Sequence, residues 1–119
     1  MPAALVALAL SGTPSTQLNV TVWPSGRGHA SRSWTLRCGP VGGTLPGRVR
    51  ACARLAKAQD DVFAPVPQAK ACSQVYGGPQ VAVVRGLFRG RRWSATFTRR
   101  NGCELSRWNR VAFLFPVRL

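Results

Sequence analysis

The sequence predicts an α+β domain, an antiparallel β-sheet of about five strands that is stapled by disulfides. Segments that alternate apolar and polar residues outnumber segments with helical periodicity. Two of the strand-like segments flank Arg89 and Gly90, and a two-residue break of this kind is typical of a β-hairpin. Four cysteines are scattered over 119 residues, a length that fits one domain.

The apolar segment at 1–10 is too short to span a bilayer. It resembles the hydrophobic region of a signal peptide, with small residues at 7–9 that fit a cleavage site. Because no cation precedes it, we expect the true start to lie upstream of Met1. Residues 1–17 are therefore interpreted as a signal-peptide remnant and flexible lead, and residues 18–119 as the domain. The alternative is an apolar arm that docks on the domain.

The first half of the domain contains two predicted strands and one predicted helix. Residues 18–22 and 33–38 alternate in polarity, and the Gly- and Pro-containing segment 23–31 between them is a loop. Thr44 is a candidate helix cap, with Pro46 in the first turn. The helix then has an apolar stripe at i, i+3, i+4 and i+7. The stripe consists of Val49, Cys52, Ala53 and Ala56.

The second half begins with a long connection and continues with strands. Residues 60–71 contain prolines and have no clear period. Strands are predicted at 81–88 and 91–98, and residues 99–102 form a polar turn. A last, aromatic strand is predicted at 111–115, where Pro116 ends it.

The charged residues disfavour several classes of enzyme. There are 17 Lys and Arg residues against 3 carboxylates, which gives a net charge of +14. The carboxylates are Asp60, Asp61 and Glu104, and the sole histidine is His29. A catalytic carboxylate pair or a Ser-His-Asp triad is hard to assemble from this set. The charge by itself favours a nucleic-acid binder.

The four cysteines are Cys38, Cys52, Cys72 and Cys103, and the C-x-x-C pattern of a zinc ribbon is absent from the sequence. Scattered cysteines in a small chain are typical of disulfides and of secreted proteins. Three pairings are compatible with four cysteines, and their spacing does not choose among them. The alternative is a cytosolic protein with four buried thiols.

The segment 70–79 is the most informative for function. It is polar, with Cys72 near its start and Pro79 at its end. A loop that is held at both ends loses little further entropy on binding, which suits a substrate-like ligand. Taken alone, this pattern is weak, and an ordinary connection with a structural disulfide is the better interpretation.

Six segments in order resemble the Streptomyces subtilisin inhibitor family, from residue 18 almost to the end of the chain. The segments are Thr-Leu-Arg-Cys-Gly-Pro-Val-Gly-Gly-Thr-Leu-Pro at 35–46, Ala-Cys-Ala-Arg-Leu at 51–55, Cys-Ser-Gln-Val-Tyr at 72–76, Gly-Leu-Phe-Arg-Gly at 86–90, Asn-Gly-Cys-Glu-Leu at 101–105, and the aromatic end with Phe113 and Phe115.

This resemblance implies a secreted, homodimeric protein inhibitor of subtilisin-like serine proteases, with no cofactor, metal or catalytic residue of its own. It implies two helices beside the sheet and the disulfides Cys38–Cys52 and Cys72–Cys103. The scissile-like bond would join Gln74, the primary specificity residue, to Val75. The remaining residues expected to contact or support the protease-binding loop are Ala71, Cys72, Ser73, Tyr76 and Asn101.

The sequence departs from the family pattern around this loop. Ser73 replaces a common proline, and Gln74 replaces Met or Lys. Gln74 fits a broad subtilisin pocket better than a trypsin pocket, which contains a buried Asp. One extra residue lies within 76–79, and two more lie within 98–100. These insertions are expected to loosen the loop and to weaken the support from Asn101.

Two alternatives remain open. A polyanion or nucleic-acid binder is suggested by arginines that alternate with aromatic residues along the hairpin. The arginines are Arg85, Arg89, Arg91, Arg92, Arg99 and Arg100, and the aromatics are Phe88, Trp93 and Phe97. We prefer the interpretation that these aromatics belong to the core, so nucleic acid is not the expected partner. The other alternative is an inhibitor-like fold without inhibitory activity.

Overall fold

The structure is a computed structural model that describes residues 15–118, so all but the last three residues of the proposed signal-peptide remnant and lead at 1–17 lie outside the described residues. Its strands are β1 Thr16–Trp23, β2 Arg32–Cys38, β3 Gly42–Gly43, β4 Gly78–Phe88 and β5 Arg91–Arg99. Its helices are α1 Arg48–Ala56, α2 Gly102–Arg110 and a short 3-10 helix at Ala112–Leu114. The strands form one antiparallel sheet in the order β3-β2-β1-β4-β5. The predicted fold class is confirmed.

The centre of the sheet has the alternation that the sequence predicts. In β1, Leu18, Val20 and Val22 are buried, whereas Asn19 between them is exposed. Val20 lies opposite Trp34 of β2 and Val84 of β4, so the apolar sides of three strands share one face. This register places the apolar side chains of that face in one core, whereas Val83 lies at an alternate position opposite Thr21 and is not part of it. β1 begins at Thr16, slightly before the predicted residue 18.

Aromatic side chains of the β4–β5 hairpin pack into this core around Phe63 of the long connection. The Phe63 ring lies edge-on to Phe88, Trp93 and Phe97, with centroid distances of 5.3, 6.1 and 6.4 Å. Phe88 and Phe97 are buried, and Trp93 is half-buried. The interpretation of these aromatics as core residues is therefore confirmed, and Phe88 and Phe97 are not exposed for stacking on nucleic-acid bases.

The first helix exists, but its buried face is not the predicted stripe. Ala51 and Leu55 are the buried residues, whereas Val49 is 70% exposed, and Ala53 and Ala56 are exposed as well. Two features fix the rotation of α1 about its axis. The disulfide from Cys52 to Cys38 holds one side of the helix, and burial of Leu55, which is larger than the alanines, stabilises the fold more than burial of Ala53 or Ala56 would.

Thr44 does not cap this helix. The N-cap position is Gly47, and the Thr44 hydroxyl accepts a hydrogen bond from the Thr35 backbone N–H at 3.0 Å. This contact fastens the Gly-rich segment to β2, where Gly42–Gly43 forms the edge strand β3. Sequence alternation does not reveal β3 because glycines carry no side chain to alternate.

The aromatic segment at 111–115 is not a strand, so this prediction was wrong. It follows α2 and contains a 3-10 helix at Ala112–Leu114, and Val111, Leu114 and Phe115 are buried. The Phe115 ring lies 4.7 Å from that of Trp108 and 5.5 Å from that of Phe97. Spacing of i, i+3 and i+4 places all three side chains over the core, and this burial outweighs the β-propensity of the aromatics.

Candidate functional site

The segment from Ala71 to Tyr76 forms an irregular, projecting loop. Only Cys72 is half-buried, and the other residues of the segment are exposed. Val75 is 59% exposed and Tyr76 is 65% exposed, which is unusual for large apolar side chains in this molecule. Binding could bury much of this apolar surface, so the loop has the properties of a contact surface.

The disulfides are Cys38–Cys52 and Cys72–Cys103, the pairing implied by the family resemblance. Cys72–Cys103 joins the loop to the first turn of α2, with 5.3 Å between the Cα atoms. Cys38–Cys52 joins the end of β2 to α1. Cys72–Cys103 therefore determines where the loop lies relative to α2.

Two backbone hydrogen bonds and one from a side chain hold the loop further. The Gly102 N–H donates to the Ser73 carbonyl at 3.0 Å, directly before Gln74. On the far side, the Gly77 N–H donates to the Arg99 carbonyl at 2.6 Å, and Arg99 Nε donates to the Gly77 carbonyl at 3.3 Å. The loop is thus fastened on both sides of Gln74 and Val75.

The extra residues around the loop contact one another. Gly78 lies opposite Arg99 at the end of the β4–β5 ladder, and the register then shifts between Gly78 and Val81. The insertions are absorbed in this irregularity of the hairpin, where Arg99 provides the contacts to Gly77. Sequence reasoning missed this role of Arg99 because the pairing partner is distant in the chain.

Asn101 caps α2. Its side-chain oxygen accepts a hydrogen bond from the Glu104 backbone N–H at 3.0 Å. An Asn followed three residues later by Glu is a known helix-start signal, and it was present in the segment taken for a polar turn. The neighbouring residue, Gly102, makes the hydrogen bond to the loop at Ser73. Direct support of the loop by Asn101 therefore stays a prediction.

A buried arginine, which sequence reasoning also missed, holds the connection that leads to the loop. Arg107 of α2 is 6% exposed. Its guanidinium donates to the carbonyls of Phe63 at 2.9 Å, Ala64 at 2.8 Å and Thr96 at 2.5 Å. Burial lowers the pKa of Arg107, and the Glu104 carboxylate partly opposes that shift. Arg107 therefore ties the connection, β5 and α2 together.

The Gln74 side chain lies at the exposed tip. Its Nε2 donates to the Cys72 carbonyl at 3.4 Å, a long and solvent-exposed bond. Because water can replace this bond, the side chain can turn outward at small cost.

Comparison with known proteins agrees with this architecture. The sequence model of the family described as subtilisin inhibitor-like matches residues 14–101, most of the chain. The chain belongs to the subtilisin inhibitor-like family. A curated relative, subtilisin inhibitor-like protein 1 of Streptomyces cacaoi, is 36% identical over an alignment that covers 72% of this chain and 81% of the relative.

The subtilisin inhibitor-like family is a family of inhibitors and not of enzymes. The family match ends at Asn101, before Cys103. Cys103 nevertheless pairs with Cys72, so the disulfide of the loop includes a residue beyond the matched range. None of the helices within residues 15–118 has the length and hydrophobicity of a membrane-spanning segment.

Proposed function

We propose that this protein inhibits subtilisin-like serine proteases and that Gln74–Val75 is its reactive bond. The observation that carries the proposal is the fastening of the exposed loop at both ends, by Cys72–Cys103 and Gly102 on one side and by Arg99 on the other. Ala71, Cys72 and Ser73 would pair with the protease as an added strand. Val75 and Tyr76 would occupy the primed side of the cleft.

Inhibition follows from the difficulty of separating the two ends after attack. If the protease serine cleaves after Gln74, the acyl side stays attached to α2 through Cys72 and through the Ser73 carbonyl. The new amine at Val75 stays near because Gly77 is held by Arg99. Religation then competes with hydrolysis, and binding stabilises the ground-state complex instead of the transition state.

Gln74 determines which proteases accept the loop. It carries no charge, so it has no ion-pair partner for the buried carboxylate of a trypsin-type pocket. A broad, largely apolar pocket would take its methylene groups and leave the amide near solvent. We therefore expect subtilisin-like enzymes to be inhibited much more strongly than trypsin.

The test is a titration of subtilisin with the purified protein, followed with a chromogenic peptide. Stoichiometric inhibition is expected, together with weaker inhibition by Gln74→Gly and unchanged inhibition by the matched control Gln59→Gly, which alters an exposed residue outside the loop. Mass spectrometry of the complex should locate slow cleavage after Gln74. A lack of inhibition at micromolar protein would leave an inhibitor-like fold without this activity.

We also propose that the protein is secreted. Cys38–Cys52 and Cys72–Cys103 are disulfides of the kind that form and persist in oxidising compartments. Expression of the full chain with its own N-terminus should release a shortened protein into the medium. N-terminal sequencing of that product would test the candidate cleavage site at residues 7–9, and a product beginning at Met1 would refute the signal-peptide interpretation.

The proposed homodimer has support from the resemblance to the family. On the sheet surface opposite the core, exposed Arg85 lies between Asn19 and Ser94 of the neighbouring strands. Two copies that meet on this surface would bring arginines together, so added salt should strengthen their association. Sedimentation equilibrium at low and high salt tests this; a monomer under both conditions contradicts the proposal.

A further inference from the structure

A groove of about 580 Å³ lies directly beside the loop. The connection forms one wall with Pro65, Val66 and Pro67, and the end of β5 with the start of α2 forms the other. Gln74 lines this groove together with two exposed cations, Lys70 and Arg100, and the buried Arg107 lines it as well. Lys70 precedes Gln74 by four residues, and Arg100 falls within the residues that are extra relative to the family pattern.

Among residues 15–118, no free carboxylate in this groove balances the two exposed cations. Lys70 and Arg100 are exposed. Glu104, the carboxylate that lines the groove, is half-buried, accepts a hydrogen bond from Thr98 Oγ1 at 3.1 Å and lies 3.9 Å from Arg107 Nη1. Asp60 pairs with Arg89 at 2.6 Å, and Asp61 lines a different depression.

We propose that Lys70 and Arg100 are specificity-determining residues that direct this inhibitor to proteases with an acidic rim beside the unprimed side of their cleft. This inference rests on the proposed function. The occupant of the groove is a surface segment of the target protease that bears Asp or Glu. Lys70 and Arg100 lie beside Gln74, so a protease that receives Gln74 in its specificity pocket places that rim over both cations.

The physical effect is expected mainly in the association rate. Exposed charges at the edge of an interface steer the encounter and are screened by salt, whereas they change the dissociation rate less. An acidic rim should accelerate association and a basic rim should slow it. Target choice would then depend on this groove as well as on Gln74.

The experiment measures association with subtilisin by stopped flow at low and at high salt. The protease is used in a form with carboxylates at its unprimed rim and in a form with those carboxylates changed to amides. The test variant is Lys70→Gln/Arg100→Gln. The control is Arg48→Gln/Arg50→Gln, which removes the same charge from exposed positions of α1 outside the groove.

With the acidic protease at low salt, the test variant should associate about tenfold more slowly than the wild type, and the control less than about twofold. The difference should disappear at high salt and with the amide form of the protease. Equal slowing by both variants would show that the association rate depends on the total charge of the inhibitor and would overturn the proposal. No slowing by either variant would overturn it as well. If the wild type fails to inhibit at all, the proposed function itself has failed, which is a distinguishable result.

Discussion

The two disulfides join very different regions of the molecule. Cys38–Cys52 connects a strand end to a helix that buries Ala51 and Leu55, and both of these elements also contact the core. Cys72–Cys103 connects α2 to an irregular loop whose neighbouring side chains are exposed. The first disulfide reinforces a region that burial already holds, whereas the second is the main restraint on a region without a core of its own. Both disulfides should therefore stabilise the folded protein, but only Cys72–Cys103 should be needed for inhibition.

Removing each disulfide separately is the strongest test of this comparison. Cys72→Ser/Cys103→Ser should raise the inhibition constant about a thousandfold, which corresponds to about 4 kcal/mol, because the severed ends can separate. The variant should become a substrate that is cleaved after Gln74. Inhibition titrations and mass spectrometry measure both effects.

The matched control is Cys38→Ser/Cys52→Ser. Each pair should lower the free energy of unfolding by about 3 kcal/mol on the chain-entropy estimate. The control should nevertheless keep its inhibition constant as long as the protein is folded. Equal loss of inhibition in both variants would contradict the separation of the two regions.

The buried Arg107 sharpens the comparison because it joins α2, which holds the loop, to the core-packed connection around Phe63. Arg107→Ala would leave the carbonyls of Phe63, Ala64 and Thr96 without this donor. We expect a loss of about 3 kcal/mol in the free energy of unfolding, measured by urea denaturation. Arg110→Ala on the exposed side of the same helix should change it by less than about 0.5 kcal/mol.

The close approach of α2 to the loop is tested at Gly102. A side chain there would collide with Ser73 Oγ and lie 3.3 Å from Ser73 Cβ. Gly102→Ala should displace the loop and weaken inhibition about tenfold, equivalent to about 1.4 kcal/mol, with a smaller effect on stability. Asn109→Ala, at an exposed position of the same helix, is the control. Unchanged inhibition by Gly102→Ala would mean that this contact does not position Gln74.

The smallest expected effect belongs to Asn101. Loss of its helix cap in Asn101→Ala should lower the free energy of unfolding by about 1 kcal/mol, and Asn101→Asp should retain most of the stability. If Asn101 acts only as the cap, both variants should inhibit nearly as well as the wild type. Strong loss of inhibition in Asn101→Ala at unchanged stability would instead support its expected role behind the loop.

Local patterns were sufficient for much of the sheet. Alternation around Val20 predicted the central strands, because every second side chain of a strand with one buried face is apolar. The turn at Arg89 and Gly90 predicted the hairpin. The buried faces of the helices were harder to predict from the sequence. The stripe around Val49 was wrong because several small apolar residues make more than one face of α1 plausible, and only packing against the core selects Leu55.

The sequence by itself determined the fold class, and through its motifs it indicated the inhibitor family and the residues of the loop. The tertiary structure decided how that loop is held. Gly102 against Ser73, Arg99 against Gly77 and Arg107 against the connection are contacts between distant segments, and most use backbone carbonyls. Every residue has a backbone carbonyl, so no residue type marks it as an acceptor, and only the folded chain determines which donor it meets.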